Sequence, residues 1–412
     1  MKRRKFSGLL ALGAGAMSMP ALPAGEATGE DAEQDAEQDA EQDAGQDAEP
    51  DGEVVAVCVK DYQELSRETL PPATYDYITT GSEDEVTLRE NVAAFRRIRL
   101  LPPLLEGVSQ TDLTTTVLGE QIAQPVLLAP VAGLRMFHPE GALAAARAAA
   151  AAKTIVAVST SAGSSVEEVA AAAAGPKWFQ LYCPKDRAVT RRLVERVSEA
   201  GYRAIVVTVD LGERKDADRR NRFSVPKEML LKHLVDVGHT QLNAQMSYQQ
   251  LLDFNDQAWD LSLSWEFFDW LRSITDLPIL LKGVLRPDDA LRAVSSGLDG
   301  VVVSNHGGRR LDGVPSSIEV LSKIVEVVGG RAEVLLDGGV RRGADVFKAL
   351  ALGARAVLIG RPYAWALAAD GQRGVRNVLR LLEEELENAM IASGCRNLDA
   401  VQPDLLQSGS VR

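Results

Sequence analysis

A single α/β domain, a (β/α)8 TIM barrel with an N-terminal helical extension, is the fold that this 412-residue sequence predicts. Three observations point to it. From about residue 125 onward, short runs rich in Val, Ile and Leu alternate with amphipathic stretches, the pattern of parallel strands buried on both faces. Nearly every unusual polar side chain stands at the C-terminal end of one of these runs, where barrels build their sites. The Gly-x-Gly-x-x-Gly turn that an open doubly wound sheet carries after its first strand is absent.

In chain order the strands are read at 125–130, 154–159, 178–182, 204–210, 278–283, 300–305, 333–338 and 356–360. Stretches with helical spacing lie between them at 141–153, 165–174, 186–200, 265–274, 287–296, 317–328 and 343–352, with a last one from about 374. Eight such units close into a barrel. The longest interruption, 214–261, follows the fourth strand and reads as a mobile loop.

Composition is that of a globular chain with a sizeable core, 46% hydrophobic and 25% charged. The net charge of −13 is local: residues 25–53 hold 13 Asp or Glu and no Lys or Arg, and residues 2–5 are all basic, so the remaining body carries −4. A nearly balanced body lacks the basic face that nucleic-acid binding needs. Cys58, Cys183 and Cys395 are too few for a disulfide framework, and no metal-ligand spacing is present.

Residues 1–24 have the order of a signal peptide, with a basic start, an apolar Gly- and Ala-rich run and small residues before Ala24. The pair Arg3-Arg4 followed by Phe6 predicts a twin-arginine (Tat) signal, hence an exported, periplasmic protein, and the apolar run is too short to serve as a transmembrane anchor. Residues 25–53 repeat an Asp-Ala-Glu-Gln unit and predict an acidic disordered linker, leaving 54–412 as the folded domain.

Chemistry concentrates at the later strand ends. Lys282 closes the apolar run Ile279-Leu280-Leu281 and points into the barrel mouth, where a buried ammonium needs an anionic partner. His306 follows a strand within Ser304-Asn305-His306-Gly307-Gly308-Arg309, a general base with a guanidinium three residues on to hold an anion. Asp337-Gly338-Gly339-Val340-Arg341 and Gly360-Arg361 end the last two strands, a common phosphate site of barrels.

These residues resemble the FMN-dependent α-hydroxy-acid oxidizing family, which includes glycolate oxidase, lactate oxidase and L-lactate dehydrogenases. The most specific stretch is Val303 to Arg309; Tyr75 to Tyr77, Leu88 to Asn91, His138 to Gly141 and Phe179 to Tyr182 match in order. The resemblance covers about residues 59–402 and implies FMN as cofactor and a small L-2-hydroxy acid as substrate. By the same resemblance, Pro130, Val131, Ala132, Ser159, Gln180, Thr208, Lys282 and Ser304 surround the flavin ring. Asp337, Gly338, Gly339, Arg341, Gly360 and Arg361 hold the ribityl chain and phosphate. His306 is the base, Asp210 stabilises its imidazolium, Arg309 and Arg214 bind the substrate carboxylate, and Tyr77 and Tyr182 donate hydrogen bonds to the substrate. The resemblance further implies reoxidation by oxygen, a quinone or a cytochrome, and a homotetramer.

The sequence departs from the family pattern in two places. The segment after Asp210 is shorter, so Arg214 is placed through Leu211-Gly212. Ser161 stands where glycolate oxidases carry Trp, which leaves room for lactate or a longer acid in preference to glycolate. His138 is read as local structure, and His233 and His239 as residues of the variable loop without a role.

Overall fold

The computed structural model describes residues 56–211 and 223–407; the predicted signal, the acidic repeat and Arg214 lie outside them. Eight parallel strands close a barrel: β3 (Val126–Leu128), β4 (Val156–Ser159), β5 (Lys177–Leu181), β6 (Ala204–Thr208), β7 (Ile279–Val284), β8 (Gly300–Val303), β9 (Glu333–Asp337) and β10 (Ala356–Ile359). Each neighbour pairs in sequence order, and β10 returns to pair with β3. All eight coincide with the apolar runs read from the sequence.

Period-two alternation divides each strand between two cores. Leu127, Ala157, Trp178, Val206, Leu280 and Val302 belong to a cluster inside the barrel. Their chain neighbours, among them Val126, Val158, Phe179, Val207, Leu281 and Val303, pack outward beneath the helices. The short hairpin β1 (Thr115–Val117) and β2 (Glu120–Ile122) adds Val117 and Ile122 to the inner cluster and so plugs one end of the barrel.

The predicted N-terminal extension is helical: α1 (Val59–Thr69), α2 (Pro72–Thr79) and α3 (Val86–Arg97). Around the barrel run α4 (Gly141–Ala151), α5 (Val166–Ala172) and α6 (Arg187–Glu199), then α7 (Lys227–Val237), α8 (Tyr248–Ala258) and α9 (Glu266–Arg272). The outer ring continues with α10 (Pro287–Ser295), α11 (Ser317–Val328), α12 (Gly343–Ala351) and α13 (Arg361–Ala392). Ser165 starts α5 through a reciprocal cap, its Oγ accepting from Glu168 N (3.1 Å) while Ser165 N donates to Glu168 Oε2 (2.7 Å).

Two expectations are corrected. The segment read as a mobile loop holds α7 and α8, which bury Leu230, Leu234, Leu242 and Leu251 in a small core of their own. The last helix begins at Arg361, directly after β10, and bends at Asp370 and Gly371 (φ +52), where His138 packs against the glycine. A side chain there would meet the His138 ring at 2.9 Å, so the histidine does serve local structure. None of the described helices is long and apolar enough to cross a membrane.

Helix α12 docks end-on against α13. A Cβ on Gly343 would lie 2.1 Å from Leu386 N, and Gly343 N donates to Glu385 Oε2 at 2.7 Å. Gly343→Ala should therefore destabilise the protein by about 1–3 kcal/mol through overpacking, measured as a lower denaturant midpoint at unchanged slope.

Candidate active site

The inward register that builds the apolar core becomes polar one pleat later. Two residues beyond Ala157, Trp178, Val206, Leu280, Val302 and Leu335 stand Ser159, Gln180, Thr208, Lys282, Ser304 and Asp337, all buried. All but Ser304 line a cavity of ≈ 1160 Å³ at the C-terminal mouth, larger than the roughly 300–1,000 Å³ of a drug-sized pocket. Lys282 Nζ pairs with Asp337 Oδ2 at 2.9 Å and donates to Ser304 Oγ at 2.9 Å. Burial opposes its charge, but Asp337 and Asp210 together hold its pKa above the usual lysine value.

His306 rises beside this ring. Its Nδ1 lies 2.8 Å from Asp210 Oδ1 and its Nε2 3.4 Å from the Tyr182 hydroxyl. Burial pushes the imidazole pKa down to about 4 against the upward pull of Asp210. Burial also opposes the charge of Asp210, yet the neighbouring His306, Lys282 and Arg310 hold its pKa below the usual range. At neutral pH the pair is therefore a carboxylate accepting Nδ1–H from a neutral imidazole, which leaves the Nε2 lone pair toward the cavity.

Two backbone features seat this pair. Gly283 has φ +112 at a register shift between Lys282 and Val284, and a Cβ there would lie 2.8 Å from Asp210 Cβ and Cγ. Only glycine leaves the carboxylate its place. His306 itself has φ +57, an uncommon conformation for a residue with a side chain. The loop is fixed by a reciprocal amide pair, Asn91 Nδ2 to Asn305 Oδ1 and Asn305 Nδ2 to Asn91 Oδ1, both 2.8 Å and buried. Asn305 further donates to Pro315 O at 3.1 Å and accepts from Gly308 N at 3.2 Å.

Three guanidiniums gather at the other side. Arg361 donates to the carbonyls of Ile78 (3.0 Å), Gly307 (2.8 Å) and Thr80 (3.0 Å). Arg341 donates to Val340 O (2.8 Å) and covers the Trp365 ring at 5.1 Å. Arg309 donates to Tyr77 O (2.6 Å) and lies 4.9 Å over the Tyr77 ring, which stacks on Phe223 at 4.2 Å. Burial, then the charges of Arg309 and Arg341, drive the Arg361 pKa well below its usual value, and burial pushes Arg341 down to about 10. Such a cluster is relieved by an anion.

The polar ring also carries Gln180 Nε2, Thr208 Oγ1 and Asp337 Oδ1, buried atoms with no hydrogen-bond partner among the described residues. A ligand with a hydrogen-bonding heterocycle at one end and a phosphate at the other satisfies both this ring and the arginines. FMN has that chemistry.

The cavity brings together Tyr77, Pro130, Val131, Ala132, Ser159, Gln180, Tyr182, Thr208, Lys282 and His306 with Arg309, Asp337, Gly338, Gly339, Arg341, Gly360 and Arg361. Ser304 is fully buried just beneath the cavity wall, its hydroxyl accepting from Lys282 Nζ and from His306 N (3.1 Å). Asp210 stands behind His306. His233, read from the sequence as an inert loop residue, lies on α7 and lines the cavity with Ser161 and Trp259.

The FMN-dependent dehydrogenase family matches residues 66–408. The chain is 46% identical to 2-hydroxyacid oxidase 1 of Homo sapiens, over 85% of this chain and 96% of that one. It is 49% identical to glycolate oxidase 3 of Arabidopsis thaliana, over 82% and 93%. The crystal structure of mandelate oxidase with (S)-4-hydroxymandelic acid superposes with a TM-score of 0.78 at 42% identity, covering 85% of this chain and 98% of that one. Together with a polar ring and an arginine cluster suited to FMN, these matches make the chain a member of the FMN-dependent dehydrogenase family, an oxidoreductase with FMN as its cofactor.

Proposed function

We propose that this enzyme oxidises L-2-hydroxy acids to 2-oxo acids, with lactate or longer acids preferred to glycolate. The observation that carries the reading is the His306–Asp210 pair at 2.8 Å in one cavity with Arg309, a neutral base and a cation suited to a carboxylate. Oxidation removes two electrons and two protons, one proton from the hydroxyl-bearing carbon and one from its hydroxyl, and bound FMN would supply the electron acceptor.

The protein's part is to orient the acid and move a proton. Arg309, with Arg214 as its proposed partner, binds the carboxylate, and Tyr77 and Tyr182 direct hydrogen bonds to the carboxylate or hydroxyl. Nε2 of His306 takes the proton, and Asp210, already hydrogen-bonded to Nδ1, stabilises the imidazolium that forms. Lys282 places a cation at the flavin end of the cavity, where reduction adds negative charge.

Preference for a larger acid follows from the walls. By the family resemblance Ser161 stands where glycolate oxidases carry a bulky indole, and Met136, Phe137, Phe223 and Leu261 offer apolar surface to a side chain. The relatives' names span glycolate and mandelate, so the walls of this chain argue the size. We also propose that residues 1–24 direct export of the folded flavoprotein through the twin-arginine route and that 25–53 act as a tether.

His306→Ala should retain yellow FMN and lose anaerobic bleaching by 2-hydroxy acids by about 10²–10⁴-fold; near-normal reduction would sink the assignment. Because the imidazole pKa lies near 4, bleaching by the wild-type protein should stay level across neutral pH and fall only as pH drops through about 4. Asp210→Asn removes the upward pull, so the acid limb should move lower still while the plateau drops, a shift that stopped-flow pH profiles read directly. Glycolate bleaching the flavin much faster than lactate or 2-hydroxyacids with longer chains would overturn the size preference.

A further inference from the structure

The cavity extends past His306 into a region that the proposed chemistry does not use. Tyr182, whose hydroxyl faces His306 Nε2, meets Trp259 edge-on with ring centroids 6.3 Å apart. Trp259 in turn stacks on His233, at 5.8 Å and 18° between planes. His233 Nε2 lies 3.4 Å from Ser161 Oγ. Two aromatic rings, Tyr182 and Trp259, therefore separate His306 from a serine and histidine pair.

We propose that Ser161, His233 and Trp259 form a side-chain subsite that selects 2-hydroxy acids with an apolar, aromatic body ending in a neutral hydrogen-bond donor. The inference rests on the 2-hydroxy-acid reading and adds the nature of the side chain.

Four features carry it. Trp259 and the apolar side chains Met229, Leu230 and Leu252 bound this end of the cavity and suit an aryl ring. The His233 ring hydrogen-bonds the Thr160 backbone, which places its proton there and leaves Nε2 an acceptor toward Ser161. Burial pushes the His233 pKa down to about 4, so the subsite offers no cation to a second carboxylate. Asp256 lines the same region and adds no cation to it.

The subsite is also fixed from both sides. Ser161 N donates to Ser159 Oγ (3.1 Å), and Ser159 Oγ donates to Gln180 Oε1 (3.0 Å), tying it to the polar ring of the barrel. His233 is held by α7, whose Leu230 and Leu234 are buried in the small core shared with α8. A substrate hydroxyl reaching Nε2 replaces the 3.4 Å contact with Ser161, which then turns its own hydroxyl to the ligand.

The test is anaerobic stopped-flow reduction of the purified FMN-loaded protein by 3-(4-hydroxyphenyl)lactate, 3-phenyllactate, malate and lactate. The hydroxyaryl acid should exceed 3-phenyllactate about tenfold in reduction rate over dissociation constant, the value of one well-made hydrogen bond, and malate should be the poorest of the four. In His233→Phe the ratio between the two aryl acids should collapse to about one, and in Ser161→Ala it should shrink. Each variant is its own reference because the ratio is taken on molecules that retain flavin absorbance. Equal rates for the two aryl acids in the wild-type protein, or an undiminished ratio in His233→Phe, overturns the subsite while leaving 2-hydroxy-acid oxidation intact. Failure of all four acids to bleach the flavin overturns both.

Discussion

The alternation of inward and outward side chains along the barrel strands is the constraint on which the site depends. A strand cannot shift by one residue without exchanging its two faces, so the same register that buries Trp178, Val206 and Leu280 inside the barrel must present Gln180, Thr208 and Lys282 at the mouth. The apolar layer below is what makes the polar layer effective. It excludes water from beneath the ring and prevents Lys282 and Asp337 from finding solvent instead of one another. A buried ion pair of this kind is weak evidence for stability; its value here is to fix two groups where a cofactor meets the protein.

The same dry floor sets the protonation of the base. In water an imidazole next to a carboxylate would gain a proton more readily, yet desolvation outweighs the pull of Asp210 at His306. The outcome suits the proton-accepting role proposed for His306, since its imidazole is neutral and its carboxylate partner already ionised. Arg310 and Lys282 contribute to both effects, favouring the anion at Asp210 and disfavouring a cation at His306. Geometry and electrostatics thus act through one element, the end of β6, which Gly283 on the neighbouring strand leaves free to approach.

Much of this was legible in the sequence because it is periodic or local. All eight strands carry the apolar pattern, and His306, Lys282 and Asp337 betray themselves as polar groups at the ends of such runs. Ser304 was legible as a site residue but not as a buried one, because whether a strand-end hydroxyl faces a ligand or a neighbouring ammonium is decided by packing. The Asn91–Asn305 pair joins residues 214 positions apart, and no local pattern announces it. Helices α7 and α8 were missed because their apolar residues, Leu230, Leu234 and Leu251, are diluted among polar ones and bury against each other rather than the barrel. His233 was misjudged for the same reason: its meaning lies in Trp259 and Ser161, one distant along the chain and both outside its own helix.

The N-terminal extension completes the site in a way that the barrel alone does not. Arg361 opens α13 and Arg309 lies in a barrel loop, and apart from Gly307 O the carbonyls that orient them belong to Tyr77, Ile78 and Thr80 at the end of α2. Without those acceptors the guanidiniums would repel one another with far less to aim them. Asn91 of α3 does the corresponding work for His306 by gripping Asn305, its neighbour in a loop with a left-handed residue that costs energy to maintain. The anion-binding and proton-accepting halves of the cavity are therefore held by one helical segment that precedes the barrel in sequence. The unit that forms the cavity is the extension and barrel together, and a boundary drawn at the first barrel strand would divide the cavity rather than isolate it.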